Sequence, residues 1–389
     1  MRATSWRASV AVPAVVLTWF LLASSAPTPL YPLVQVELGL TSSTLTLIYA
    51  AYPIGLLCAL LVVGPWASQE MKAGAVSAIV LEIVALLLLL TGAAGWVLIA
   101  ARALQGIATG LATSSLASWL QLRAPRLGPA FNTLAPMAGI GGGALLAGLA
   151  AATLSAAPGW IYGVLVAGLA AALVVVPVAQ TAPTRVAGPP ASRVAAPVPG
   201  VRERWGLLVL LASVWALVGL LLSLGPGLIA TLGWTTPFAG GVLVAVMASG
   251  GGLAVAVVLR AERETTRVWT AALGTGAAMI FVSVVTGHAV VLMAGAAVAG
   301  LGVGGGFHSA LQHLLAGTTD PTAVGRRLTR IYVVSYAANS VPAIGAGVLA
   351  DQAGIAATSA AYALAVAAAC AVASVLMTGP TRPRRSAGR

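Results

Sequence analysis

Acidic residues are scarce in this chain, eight in 389, and charged residues of both signs reach only 7%. A soluble domain carries about 25%, so water is not the solvent around most of this surface. Cysteine is nearly absent. Cys58 and Cys370 lie in separate apolar runs, which excludes a disulfide framework and a zinc-ligand pattern. His308 has no second histidine or acid one helical turn away, so no metal site is expected. Long polar stretches are missing too. The longest, Thr181 to Arg204, is about two dozen residues and leaves no room for a soluble catalytic domain.

What is present is hydrophobic. Apolar types make up 59% of the chain, and mean hydropathy is +1.00. A helix crosses membrane hydrocarbon with about 20 apolar residues. Twelve runs of that order can be read, from Ala8–Tyr31 to Gly354–Met377. They are continuous rather than alternating, which points to helices and away from a barrel. The first run resembles a signal peptide, with Arg2 and Arg7 before it and Ser24-Ser25-Ala26 near its end. Pro27 follows at once and eleven more runs come after, so it is expected to remain as the first span. Threaded as alternating spans, the chain puts 19 of its 20 Lys and Arg on one side. Positive charge near span ends stays in the cytoplasm. The expectation is a multi-pass protein of the cell membrane with both termini cytoplasmic. The net charge of +12 is spread over seven short segments, which suits anionic lipid headgroups and not nucleic acid.

The expected fold class is an all-α membrane protein, twelve transmembrane helices in two six-helix bundles related by a parallel pseudo-repeat. Thr181–Arg204 holds five prolines and four arginines, the composition of an extended linker. The chain then divides into a first bundle at 1–180, a cytoplasmic linker at 181–204, a second bundle at 205–378 and a basic cytoplasmic tail at 379–389. A faint repeat supports the division. Pro32 is followed seven residues later by Gly39-Leu40-Thr41-Ser42, and Pro226 by Gly233-Trp234-Thr235-Thr236. Ala147-Gly148 and Ala346-Gly347 occupy matching places. The 45 glycines are read as helix-packing residues, because lipid gives helices no hydrophobic drive to associate. A phosphate-binding loop needs a strand and a following helix N-terminus, which this pattern lacks. No cofactor is expected.

The exception to the charge asymmetry is Arg102, inside the fourth run. Arg102, Gln105, Thr109 and Thr113 are spaced 0, 3, 7 and 11, one helical stripe. A charge deep in a membrane helix costs roughly 2.5–3.5 kcal/mol on insertion scales, so Arg102 should face a cavity or a partner. Glu82 is the acid nearest mid-span and a candidate both for pairing with Arg102 and for carrying a proton. His308 and Gln312 share a helix face at i, i+4, and His308 is a second candidate for proton transfer. Candidate cavity-lining residues are Trp19, Tyr52, Thr109, Thr113, Asn132, Tyr336 and Asn339, with Tyr49, Trp215, Thr133, Ser335 and Ser340 beside them. Glu37 and Asp351, near helix ends, read as solvated loop acids. These polar groups do not assemble an acid–base–nucleophile set, so no enzyme is expected.

Over essentially its whole length the chain resembles the major facilitator superfamily. Arg102-Ala103-Leu104-Gln105-Gly106 is similar to that family's R-x-x-Q-G pattern. Gly139-Ile140-Gly141-Gly142-Gly143-Ala144-Leu145-Leu146-Ala147-Gly148 resembles the antiporter motif of its twelve-span drug/proton exporters, with Ala144 where proline is usual. Gly139, Gly143 and Gly148 would be its packing residues. The loop after the second run, from Gly64 to Ala73, keeps Gly64 but has Ser68 and Gln69 where the family has an acid and a base. The matching loop of the second half keeps Glu262-Arg263 and Arg267. The resemblance makes Gly64, Glu262, Arg263 and Arg267 a cytoplasmic gate. It implies a monomeric secondary transporter working by alternating access, exporting a small organic compound, a drug or natural product, in exchange for protons. Transport of a polar metabolite such as a sugar or amino acid, or a non-transporting sensor on the same fold, are the alternatives.

Overall fold

The computed structural model describes residues 2–123, 128–154, 156–179, 198–260, 266–317 and 321–378. For residues 2–9, 121, 128–133, 259–260 and 321–325 it describes the backbone alone. Most of the expected linker, the tail at 379–389, and Glu262 and Arg263 therefore lie outside the described residues.

Among the described residues twelve helices are long and apolar enough to cross a membrane. In chain order they are α1 (Arg2–Ser25), α2 (Ser42–Val62), α3 (Met71–Thr91), α4 (Gly95–Arg123), α5 (Gly128–Thr153) and α6 (Ala157–Ala179). The second set is α7 (Val201–Ser223), α8 (Pro237–Arg260), α9 (Thr266–Thr286), α10 (Ala289–Leu315), α11 (Pro321–Ala353) and α12 (Ile355–Met377). Each set packs mainly on itself. In the first, α4 lies against α2, α3 and α1, and α6 against α3 and α1; in the second, α9 joins α10 to α12 and α7 lies under α11 and α12. Lys72, Arg123, Arg204 and Arg267 share one end of the bundle, here termed the basic side, and Ser42 and Asp351 mark the far side.

The faint sequence repeat has a physical counterpart. α1 is followed by a short helix, Tyr31–Leu38, and α7 by another, Gly225–Thr231. Each ends near a glycine in the left-handed region, Gly39 at φ 61° and Gly233 at φ 91°. A side chain is strained in that conformation, which is why glycine stands at both turns. Pro29 and Pro32 of the first half and Pro226 and Pro237 of the second line one narrow cleft on the far side.

Two seams join the halves, α5 against α8 and α2 against α11. Each pairs the fifth helix of one half with the second of the other. The glycines at matching places sit in these seams. A Cβ on Gly148 would press on Pro237 and Gly241 of α8, and one on Gly347 would fall on Thr46 of α2. Small residues let the backbones approach where lipid supplies no drive for association.

Candidate functional site

A buried row of charged and polar side chains lies within the first half. Arg102 is 1% exposed and Glu82 and Gln105 are fully buried. The Arg102 guanidinium, through Nη1, donates to Ser24 O at 2.9 Å and to Gln105 Oε1. Gln105 Nε2 donates in turn to Glu82 Oε1 at 2.8 Å and to Ala23 O at 3.1 Å. Glu82 and Arg102 therefore meet through the Gln105 amide, not as the direct pair that their charges suggested. Arg102 Cζ also lies 4.7 Å from the centroid of the Tyr52 ring, a cation–π contact from α2. Among the described residues Glu82 Oε2, Arg102 Nε and the Tyr31 hydroxyl are buried without a hydrogen-bond partner.

The sequence explains why α1 has carbonyls to offer. Proline has no N–H. Pro27 therefore leaves the carbonyl four residues back, that of Ala23, without a helical donor. α1 ends at Ser25, so Ser24 O lies in the last turn, where carbonyls lack intrahelical partners. Gln105 and Arg102 occupy these two acceptors. An ion pair bridged by an amide and held by freed carbonyls offsets the cost of burying both charges.

A second cluster lies in the other half. The Trp215 ring meets Phe307 edge-on at 5.6 Å and Tyr336 tilted at 5.6 Å, and Tyr332 stacks on Tyr336 at 6.3 Å. All four rings are half-buried. Asn339 Nδ2 donates to Trp215 O at 3.3 Å, and its Oδ1 accepts from the Tyr49 hydroxyl at 3.0 Å. That last bond crosses from α11 to α2 and ties the aromatic cluster to the helix that carries Tyr52.

Several expected lining residues are placed otherwise. Trp19 donates from Nε1 to Leu165 O at 3.0 Å and borders an apolar groove of about 370 Å³ between α1 and α6. It belongs to the flank of the first half. Thr109 is fully buried and donates to Gln105 O at 2.9 Å; its hydroxyl serves its own helix. Asn339, 3% exposed, is a buried strut. Thr113, Tyr52 and Tyr336 are half-buried. Asn132 is described by its backbone alone.

His308 pairs with Gln312 Nε2 at 2.8 Å on α10 and stands apart from the Glu82–Gln105–Arg102 row. Arg267 donates to Met377 O at 3.1 Å, at the α12 C-terminus, where a cation satisfies orphan carbonyls. It is so placed as a helix cap, and its expected gating partners lie outside the described residues. Gly64 is buried against Ser114. Gly139 and Gly143 lie where α5 crosses α1, with Leu21, Leu22 and Ser25 in the space a Cβ would take. Asp351, expected as a solvated loop acid, is exposed as expected but lies in the last turn of α11 and bonds to the α2 N-terminus at Ser42 and Ser43. Among the described residues no group of three or more His, Cys, Asp or Glu is arranged to hold a metal.

The sequence pattern of the Major Facilitator Superfamily matches residues 14–289. The chain belongs to that superfamily. It is a multi-pass membrane protein and a secondary transporter, not an enzyme. The chain matches no curated protein in sequence. Its fold is similar to that of solved transporters across nearly the whole length. A bacterial homologue of the human lysosomal transporter Spinster, in an inward-facing and occupied conformation, aligns at TM-score 0.69 and 12% identity, covering 95% of each chain. A nucleoside transporter aligns at 0.69 and 13% identity, covering 95% of this chain and 98% of the other. A D-xylose–proton symporter aligns at 0.66 and 13% identity, covering 95% and 97%. At these identities the likeness is one of fold.

Proposed function

We propose that this transporter exports a small, largely apolar organic compound in exchange for protons, and that Glu82, Gln105 and Arg102 couple the two movements. The observation that carries the reading is the buried row itself. An acid, an amide and a guanidinium are bonded in series and fastened to two carbonyls of α1. With Glu82 ionised, the row runs from donor to acceptor and its charges balance. A proton on Glu82 removes the negative charge, and Arg102 must then find compensation from α1 carbonyls or from water. Protonation is thereby tied to how α1 sits on α4, and α1 packs on α5, one side of a seam between the halves.

The exporter reading draws on the R-x-x-Q-G pattern at Arg102–Gly106 and the glycine-rich run at Gly139–Gly148, both of which resemble the drug/proton antiporters. An apolar cargo suits the cluster of Trp215, Phe307, Tyr332 and Tyr336. Aromatic surfaces bind flat apolar bodies through area and ring geometry. The basic side is taken as cytoplasmic, by the charge rule.

Purified protein in proteoliposomes, given an imposed pH gradient and a compound panel, tests the reading. Movement of apolar aromatic compounds against the proton gradient is expected. Movement restricted to sugars, nucleosides or amino acids would overturn the choice of cargo, and binding without any movement would indicate a sensor.

A further inference from the structure

The first turn of any helix leaves backbone N–H groups without partners. In α2 each of the first four is accounted for, and half of them by the other half of the molecule. Leu45 N–H reaches Thr41 O at 3.0 Å, as in an ordinary helix. Thr44 N–H is capped by Thr41 Oγ1 at 3.2 Å. Ser42 N–H goes to Asp351 Oδ1 at 2.6 Å and Ser43 N–H to Asp351 Oδ2 at 3.1 Å, and the Ser43 hydroxyl donates to the same Oδ2. Asp351 is some three hundred residues away, at the far end of α11. Its negative charge meets the positive end of the α2 dipole.

The contact does not stand alone. One turn into α2, Thr46 is fully buried against Gly347 of α11. A turn further, the Tyr49 hydroxyl donates to Asn339. These contacts form a line down the α2–α11 seam, from the far surface to the edge of the aromatic cluster. Separating the halves on the far side must break the outermost contact first.

We propose that Asp351 is the latch of the far-side gate. Its carboxylate holds α2 against α11 while the site is shut from that side, and it lets go when the site opens there. Asp351 touches no cargo. It is a positioning residue that acts through α2, the helix carrying Tyr49 and Tyr52. The inference requires two-sided access only, and neither the nature of the cargo nor proton coupling enters it.

The test is the reactivity of a cysteine buried in the seam, with no substrate and no pH gradient. In purified protein carrying Cys58→Ser and Thr46→Cys, maleimide labelling is followed at each cysteine by peptide mass spectrometry. Adding Asp351→Ala is expected to speed labelling at Thr46→Cys by about threefold to tenfold, the effect of losing a solvent-exposed helix cap. Asp351→Asn, whose amide oxygen accepts one N–H without charge, should fall between. Cys370, buried in α12, is the internal control and should stay slow. Unchanged labelling at Thr46→Cys in Asp351→Ala would overturn the latch. An equal rise at Cys370 would also overturn it, because that marks general loosening and a merely structural role.

Discussion

Arg102 is costly where it stands, and its surroundings show how the cost is met. One α1 carbonyl, an amide oxygen and an aromatic face surround a guanidinium that water does not reach. Arg102→Ala would leave Gln105 Oε1 and Ser24 O unpaired in an apolar interior, at about 1–3 kcal/mol for each buried group. Transport by Arg102→Ala is expected to fall to background at matched expression, with the protein still inserted. Arg102→Lys keeps the charge but loses the guanidinium that donates to both Ser24 O and Gln105 Oε1. A hydrogen bond made by a charged group contributes about 1.5–3 kcal/mol, so transport about tenfold to a hundredfold below wild type is expected. Both are read by initial rates in proteoliposomes. The Arg102–Gln105 stripe was legible in the sequence because a charge in an apolar run is conspicuous. Its true partners were less so. That Gln105 bridges to Glu82 depends on how deep α3 sits against α4, which no spacing within one helix reveals. The α1 carbonyls did leave a signal, Pro27, whose missing N–H frees Ala23 O.

At the scale of the helix, glycine decides which pairs can touch. Gly106 of α4 sits so close to α2 that a Cβ would fall on the Tyr52 carbonyl, whereas Gly163 of α6 has open space at the same position. Gly106→Val should therefore force α4 off α2, with overpacking of roughly 1–3 kcal/mol. A thermal unfolding midpoint lowered by at least about 3 °C is expected. Gly163→Val should unfold within about 1 °C of wild type. Equal midpoints for the two variants would contradict the packing account. The helices themselves were readable from continuous hydrophobic runs. Which glycine faces a helix and which faces lipid was not, because apolar residues surround both kinds and periodicity carries little contrast in a membrane. Trp19 shows the same limit: an aromatic in a first span suggested a central cavity, yet it anchors α1 to α6 through Leu165.

For the whole molecule, the two-fold arrangement was written in the chain as matching Pro–Gly turns and Ala-Gly pairs, and the structure places those pairs in the two seams between halves. Asp351 escaped because its role exists only once the halves are together, 309 residues from Ser42. Orientation rests on the basic side, and labelling checks it. Cysteines introduced at Ala191 and near Arg389 should resist an impermeant reagent added to intact cells and react after permeabilisation; efficient labelling in intact cells would reverse the orientation. The central claim is that one buried row couples a proton to transport through Glu82. Glu82→Gln keeps an oxygen for Gln105 Nε2 to bond but cannot release a proton at neutral pH. The deciding measurement compares pH-driven transport with substrate exchange in the absence of a gradient, in the same proteoliposomes. The account predicts that Glu82→Gln loses pH-driven transport by more than about tenfold while exchange persists; pH-driven transport at the wild-type rate would contradict it.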